Sequence, residues 1–232
     1  MHKRPVALAW SGGKDSAMAL AALRSDPGVE VVALVTTMTR EYDRISIHGV
    51  QRSVLEAQVA ALDIALVEVS IPAAASNAIY EQALTTALAG LRSRYPALRH
   101  LAFGDLFLAD VRAYRERLLA ALDWEPLFPL WGRDTSQLAA EFVERGFRAI
   151  LTCVDTTQLS GEFAGRDFDA VLLAALPASV DPCGENGEFH TCVHAGPIFS
   201  QPIALHAGER VLRDNRFEYC DVMLDESLPP RR

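Results

Sequence analysis

The sequence predicts an α/β fold: a doubly wound parallel sheet, followed by a smaller C-terminal α+β domain. Up to about residue 130, short apolar runs alternate with stretches of helical periodicity, the pattern of parallel strands joined by crossover helices. A glycine turn, Gly12-Gly13, follows the first apolar run directly. From residue 189 onward, short apolar runs alternate with turns, as antiparallel strands do. We therefore predict two domains, residues 1–130 and residues 131–232.

The individual elements follow from the apolar runs and from the residues that interrupt them. In the first domain we predict strands at residues 6–10, 29–37, 64–69 and 98–103, and helices at residues 16–24 and 76–94. Two further helices have as their predicted inward faces Val50, Val54, Ala57 and Ala61, and Val111, Tyr114, Leu118 and Ala121. Residues 38–49 are polar and are predicted to form a loop. In the second domain we predict a helix at residues 135–145, a strand at 149–154, an apolar helix within 163–176, and turns at 195–197, 207–208 and 214–215.

Composition narrows the classes of partner. Half of the 232 residues are hydrophobic, enough for a substantial core, and the net charge of −8 comes without any basic run. A nucleic-acid partner is therefore not expected. The four cysteines form no C-x-x-C pair, which suits reduced thiols, and no apolar stretch is long enough for a secretory signal or a membrane span. We expect a cytoplasmic protein with no membrane partner.

The glycine turn has the chemistry of a phosphate-binding loop. Gly12 and Gly13 allow an anion to approach the main chain closely, and Lys14 adds a positive charge. Ser11 and Ser16 supply hydroxyl donors where the dipole of the next helix also favours an anion. The alternative is a turn that only joins a strand to a helix.

The loop is not of the Walker type. The pattern G-x-x-x-x-G-K-[ST] would require Gly at position 8 and Ser or Thr at position 15, where the chain has Leu8 and Asp15. The run Ser-Gly-Gly-Lys-Asp-Ser instead resembles the pyrophosphate loop (PP-loop) of the ATP pyrophosphatase superfamily, whose members cleave ATP between its α and β phosphates and activate a substrate as an adenylate.

This resemblance implies a Rossmann-like fold that binds ATP, with Mg²⁺ bridging the phosphates. The implied pyrophosphate ligands are Ser11, Gly12, Gly13, Lys14, Asp15 and Ser16. Val35 and Thr36, near the carboxyl end of the second strand, are the implied adenine contacts.

A second polar position follows the fourth strand. Asp105 lies at the carboxyl end of that strand, where ligands gather in open α/β sheets, and it could hold Mg²⁺ or orient ATP or the substrate. Gly104, beside it, is assigned to the nucleotide. The alternative for Asp105 is an N-cap of the next helix.

In that helix, Arg112 and Glu116 are four residues apart and can pair, which usually means a solvated ion pair. Their surroundings suggest more. The series Gly104-Asp105-Leu106-Phe107, Arg112, Glu116, Pro129-Leu130-Trp131 and Gly146-Phe147 resembles the diphthine-ammonia ligase family. The resemblance implies that these positions line the nucleotide and substrate cleft.

A dense polar cluster lies at residues 181–191. Gly184 and Gly187 would let Glu185, Asn186 and Glu188 converge as an acid or base and a cation-holding carboxylate, able to position ammonium or to accept a proton from attacking ammonia. The alternative is a glycine-stabilised turn with its charges in water. The run Gly-Glu-Asn-Gly-Glu-Phe-His-Thr also resembles the C-terminal signature of the same ligase family, which brings His190 into the predicted catalytic set.

Two further side chains are ambiguous. Cys183 could be a nucleophilic thiol, but a structural or substrate-lining role is favoured because no second cysteine is close in sequence. His48 could contact the substrate or cap its own turn, and the sequence does not decide.

The resemblance implies a specific reaction. A substrate carboxylate attacks the α-phosphorus of ATP, pyrophosphate leaves, and ammonia attacks the acyl-adenylate to give an amide and AMP. Lys14, Asp105, Arg112, Glu116, Glu185, Asn186, Glu188 and His190 form the implied catalytic set. The acceptor is diphthine on elongation factor 2 or a small molecule. Two alternatives remain: a PP-loop enzyme that modifies tRNA by thiolation or lysidine-type chemistry, and a non-catalytic regulator that binds adenine nucleotides.

Overall fold

The computed structural model describes residues 3–225. Its strands are β1 (Arg4–Ala9), β2 (Val29–Thr39), β3 (Arg44–Ile45), β4 (Ala65–Ile71), β5 (His100–Ala102), β6 (Glu125–Leu127), β7 (Arg148–Asp155), β8 (Phe189–Ala195), β9 (Leu205–Arg213) and β10 (Phe217–Leu224). Its α-helices are α1 (Lys14–Ser25), α2 (Arg52–Leu62), α3 (Asn77–Arg94), α4 (Ala109–Ala120), α5 (Thr135–Glu144) and α6 (Ala170–Ala175), and a 3₁₀ turn covers Gly161–Phe163.

The first sheet is doubly wound. Its parallel strands lie in the order β4-β2-β1-β5-β6, and the two-residue β3 pairs antiparallel with the end of β2. The chain builds outward from β1 first to one side and then to the other. The switch point is therefore between β1 and β5, and ligands bind beyond the carboxyl ends of the strands there.

The two central strands β1 and β2 are buried along continuous runs rather than at alternate residues. Val6, Ala7 and Leu8 of β1 are inaccessible to solvent, and residues 33–36 of β2 are all buried. Leu88 of α3 belongs to the same apolar core as Trp124. Burial on both faces explains why the sequence shows unbroken apolar runs here.

The second sheet is antiparallel throughout, in the order β8-β7-β10-β9. Helix α5 belongs to the same part of the chain and buries Leu138 and Phe142. The predicted fold class, a doubly wound parallel sheet with a C-terminal α+β part, is confirmed.

Contacts between residues divide the chain into two compact units. Among the described residues, the first contains those up to Ser11, Asp15–Ser46 and Asp63–Arg133. The second contains Gly12–Lys14, Ile47–Leu62 and the described residues from Asp134 onward. Part of the glycine loop and helix α2 therefore group with the C-terminal sheet, although they come early in the sequence.

Some local predictions are wrong. Residues 38–49 are not all loop, because β2 runs to Thr39 and pairs there with β3. The predicted turn at residues 207–208 lies inside β9, and a register shift between Cys220 and Val222 of β10 accommodates it. Ala121 is exposed because α4 ends at Ala120, and Leu119 is the buried residue at that end.

Candidate functional site

The backbone of the glycine loop favours glycine at both positions. Gly12 has a φ of +75°, in the left-handed region. A Cβ on Gly13 would lie 3.0 Å from the carbonyl oxygen of Thr191 and 3.2 Å from Cε1 of His48. Glycine thus avoids backbone strain at position 12 and a tight contact at position 13.

Helix α2 and strand β8, both in the second unit, hold this loop in place. The carbonyl oxygen of Gly12 accepts hydrogen bonds from the Val193 N–H at 2.8 Å and from Nε2 of Gln58 at 3.0 Å. Nε2 of Gln58 also donates to the carbonyl oxygen of Val193 at 2.7 Å. The Lys14 N–H, at the start of α1, donates to Oγ1 of Thr191 at 3.0 Å. The loop is therefore fixed before any ligand binds.

The ammonium group of Lys14 is buried beside two aromatic rings. Lys14 is only 3% exposed, and its Nζ lies 5.8 Å from the ring centroid of Phe189 and 5.9 Å from that of Phe168. Ring faces attract a cation, and the low polarity of this environment strengthens its field toward an anion at the loop.

Two histidine side chains lie at the same loop. The ring centroids of His48 and His190 are 4.6 Å apart, and Nδ1 of His48 lies 3.4 Å from the carbonyl oxygen of Thr191. Burial lowers the pKa of His48 to about 4, with the charge of Lys14 adding to the effect. Burial, followed by the charges of His48 and Lys14, lowers the pKa of His190 well below its usual value. His48 thus bonds to β8 rather than to its own turn, so the turn-cap alternative is not what the structure shows.

The remaining loop residues belong to the first unit. Oγ of Ser11 and Oγ of Ser16 are 3.4 Å apart. A Cβ on Gly104 would lie 2.9 Å from both the carbonyl carbon and the carbonyl oxygen of Asp15. The loop that follows β5 therefore packs against the first turn of α1 at the switch point, and the common role of Gly104 and Asp15 stays a prediction.

Val35 and Thr36, the predicted adenine contacts, lie within β2 and are buried. Oγ1 of Thr36 donates to the carbonyl oxygen of Trp10 at 2.8 Å. Thr36 therefore fixes the residue that precedes the glycine loop, and its contact with adenine stays a prediction.

Asp105 is held by an arginine. Nε and Nη2 of Arg115 donate to its two carboxylate oxygens at 2.6 and 3.1 Å, and the guanidinium lies 4.2 Å from the ring centroid of Phe103. The alternative of a helix N-cap is wrong, because α4 begins at Ala109 and Leu108 occupies the capping position. Among the side chains of residues 3–225, no group of three His, Cys, Asp or Glu could hold a metal ion.

The Arg112–Glu116 pair is more than a solvated ion pair. Nε of Arg112 donates to Oε1 of Glu116 at 2.8 Å. The guanidinium also lies 4.9 Å from the ring centroid of Phe128 and 4.7 Å from that of Trp131. Two rings and a carboxylate thus fix the orientation of a partly exposed guanidinium.

In the 181–191 loop, the polar groups converge on one another. Glu188 is 1% exposed, and its carboxylate accepts from the Asp181 N–H, the Asn186 N–H and Nδ2 of Asn186, at 2.9, 3.0 and 3.0 Å. Oδ1 of Asp181 accepts from the Glu185 N–H at 3.2 Å. A Cβ on Gly184, whose φ is +68°, would lie 2.8 Å from the Phe189 carbonyl oxygen. This geometry has the character of the glycine-stabilised turn, and the catalytic roles of Glu185, Asn186 and Glu188 stay predictions.

Cys183 lies in the same loop and is buried. Its Sγ donates to the carbonyl oxygen of Thr135 at 3.3 Å, which fits a structural thiol.

Sequence reasoning missed three residues that build the site. Gln58 is fully buried on the apolar face of α2, and a polar residue at a core-facing position was the available signal. Thr191 is the last residue of the family-like run at residues 184–191, but the sequence indicated no role for it. Arg115 holds Asp105, which lies ten residues earlier in the sequence. Nothing else in the sequence distinguishes Arg115 from the other arginines of its helix.

A glycine loop that opens a helix at the switch point of a doubly wound sheet is typical of a nucleotide-binding α/β protein. Comparison with family models makes this more specific. Residues 4–119 match the diphthamide synthase N-terminal domain, and residues 134–224 match the diphthamide synthase C-terminal domain. The chain belongs to the diphthamide synthase family, a PP-loop ATP-pyrophosphatase family, and the predicted resemblance is confirmed.

This membership indicates an enzyme that uses ATP. No curated protein matches the chain. Within residues 3–225, no helix is both long and apolar enough to cross a membrane.

Proposed function

We propose that the protein is an ATP-dependent amide-forming ligase that adenylates a substrate carboxylate and transfers ammonia to it. The observation that carries the proposal is the glycine loop: a fixed main chain that is tightly packed at Gly13, with the buried ammonium of Lys14 beside it. Such a loop suits the β and γ phosphates of ATP, which leaves the α-phosphorus open to attack.

Lys14 would stabilise the charge that develops on the departing pyrophosphate. A preorganised ammonium at low polarity does this without reorganisation during the reaction. Bound Mg²⁺ would neutralise phosphate charge. Its ligands would be mainly phosphate oxygens, with Asp105 as the candidate protein ligand only if the carboxylate leaves Arg115.

In the first unit, Arg112 is the group best suited to a substrate carboxylate. Its guanidinium is oriented by two aromatic rings and by Glu116, and it remains about one third exposed. An oriented guanidinium binds a carboxylate through two parallel hydrogen bonds, which fixes the oxygen that attacks.

In the second unit, Glu185, Asn186 and Glu188 are the candidate residues of an ammonia site. Asn186 is exposed, and its amide is positioned by the buried carboxylate of Glu188. In this arrangement Glu188 acts as a positioning residue, and the groups that meet ammonia are its neighbours. The acceptor carboxylate is proposed to be diphthine on elongation factor 2, or a small molecule of the same chemistry.

The test is to incubate the purified protein with Mg-ATP, ¹⁵N-ammonium and candidate carboxylates, including diphthine-bearing elongation factor 2. AMP, pyrophosphate and a ¹⁵N-labelled amide are the expected products. Formation of ADP and phosphate would overturn adenylation. Nucleotide binding without turnover on any acceptor would favour a regulator, and ATP-dependent modification of tRNA would favour the other alternative.

A further inference from the structure

Three nitrogen-bearing side chains from separate segments lie together at the glycine loop, and all three belong to the second unit. Lys14 opens α1, His48 precedes α2, and His190 lies on β8. The two imidazole rings are 4.6 Å apart, and Cε1 of His48 would lie 3.2 Å from a Cβ on Gly13. In a chain of net charge −8, this is a concentration of potential positive charge at one loop.

The hydrogen bond of His48 defines which ring nitrogen can gain a proton. A carbonyl oxygen only accepts, so Nδ1 of His48 carries the hydrogen in its contact with Thr191. Nε2 is then the basic nitrogen. Once protonated, Nε2 becomes a second donor, and the imidazolium can bridge the Thr191 carbonyl to an anion.

Without an anion, the surroundings oppose protonation of both rings. Lys14 on α1 is positive, the two rings would repel each other if both were charged, and burial disfavours either charge. From β10, Tyr219 packs at Gly49, and its pKa is raised, so its phenol is neutral. Asp221 on β10 accepts a hydrogen bond from Gln51. A polyphosphate bearing three or four negative charges would reverse this balance.

We propose that His48 and His190 bind the polyphosphate of the nucleotide together with Lys14, and that at least one of the imidazoles takes up a proton from solvent as the polyphosphate binds. The inference rests on the proposed function only in placing the polyphosphate at the glycine loop. The same imidazolium loses its proton to solvent when pyrophosphate leaves. His190 is thereby assigned to the polyphosphate rather than to ammonia.

The direction of the pH effect follows. In the free protein both rings are neutral near pH 7, and binding adds protons, so affinity rises as pH falls. Each proton taken up tightens binding about tenfold per pH unit while the solution pH lies between the free and bound pKa values.

The direct test is NMR of the protein labelled with ¹⁵N-histidine, titrated with inorganic pyrophosphate at pH 7. The expected result is that one or both of the His48 and His190 rings change from neutral to imidazolium ¹⁵N shifts at saturation. His48→Gln and His190→Gln assign the signals. His206, exposed on β9, serves as an internal control that should not change.

Calorimetry in buffers of different ionisation enthalpy gives a second measurement on the same ligand. The wild type should take up more protons than either glutamine variant, and the difference removes the protonation of pyrophosphate itself. His48→Gln should weaken binding at pH 6.5 by about tenfold or more, whereas His206→Gln should leave it unchanged. The ring of His190 is tested in the same way.

The outcomes separate the two proposals. If pyrophosphate binds and both rings stay neutral, the inference is overturned and the proposed function stands. If neither pyrophosphate nor a non-hydrolysable ATP analogue binds, both are overturned.

Discussion

At the scale of single residues, a substitution of Lys14 can remove its charge while keeping most of its packing. Lys14→Met keeps most of the buried volume and removes the ammonium that faces the Phe168 and Phe189 rings. A charge-assisted contact is worth about 1.5–3 kcal/mol, so we expect affinity for a non-hydrolysable ATP analogue to fall by about ten- to a hundredfold. Titration calorimetry measures this, with the thermal unfolding midpoint as a control for folding. Unchanged affinity would mean that the ammonium does not meet the phosphates.

A second prediction concerns the limited space for a side chain at Gly13. Gly13→Ala puts a methyl group 3.0 Å from the Thr191 carbonyl oxygen, so the loop or β8 must shift. We expect loss of nucleotide binding and destabilisation of about 1–3 kcal/mol, the usual cost of overpacking. Chemical denaturation and the same calorimetry measure the two effects.

The matched control is Gly90→Ala, in the exposed part of α3, where nothing lies within 4 Å of the added methyl group. It should stabilise the protein by up to about 1 kcal/mol, because alanine favours helix, and should leave binding intact. Equal effects of the two substitutions would contradict the assigned role of the loop.

The residues of the site differ in how far sequence alone could reveal them. The loop residues 11–16 are contiguous, so one short stretch of sequence is enough to predict that they bind phosphate. Gln58 and Thr191, which hold that loop, lie 46 and 177 residues away from their partners Gly12 and Lys14. Only tertiary packing brings these partners together, and a single sequence does not show which distant residues pair.

At the scale of elements, the 181–191 loop depends on a buried carboxylate that accepts three N–H groups. Glu188→Gln would replace one accepting oxygen by an NH₂ group that faces donors. We expect a loss of about 1–3 kcal/mol in the free energy of unfolding, with lowered amide formation as a consequence. Glu56→Gln, exposed on α2, is the control and should be neutral. Wild-type stability in Glu188→Gln together with lost activity would instead favour a direct catalytic role.

Strands and helices were predictable where burial imposes a long pattern. β1 and β2 are buried along unbroken runs, and α3 is bounded by a capping serine, Ser76, whose side chain accepts from the Ile79 N–H. The errors fall where pairing overrides local propensity. β3 exists because β2 continues far enough to pair with it, and Gly208 stays within β9 because β9 bulges there, with Gly208 and Glu209 opposite the single residue Asp221 of β10.

At the scale of the whole molecule, the sequence order and the compact units do not coincide. Reading along the chain suggests one cut, near residue 130. The contacts instead assign the glycine loop residues Gly12–Lys14 and helix α2 to the unit that contains the antiparallel sheet. A substitution in the loop should therefore also destabilise β8, because the Val193 N–H of β8 donates to the carbonyl oxygen of Gly12.

Acid stability should depend on one ion pair, with a buried carboxylate and a half-exposed guanidinium, that joins β7 to the residue before β10. Nε and Nη2 of Arg216 donate to the carboxylate of Asp155 at 3.1 and 2.6 Å, and these bonds hold the pKa of Asp155 far below its usual value, with Thr157 and Gln158 contributing. Because the folded-state pKa is depressed, the stabilisation is complete above the unfolded-state value of about 3.9 and is lost as pH falls below it.

We expect Asp155→Asn to lower the free energy of unfolding at pH 7 by about 1–2 kcal/mol, a modest figure because the Arg216 side chain is half exposed. The gap to wild type should narrow as pH falls from about 5 toward 2, because the unfolded wild type then takes up a proton at Asp155 that the folded protein, with its lowered pKa, does not. Urea denaturation across that range measures it. Asp214→Asn, at the exposed turn between β9 and β10, is the matched control and should follow the wild-type curve. Parallel pH curves for Asp155→Asn and wild type would show that the pair does not govern acid unfolding.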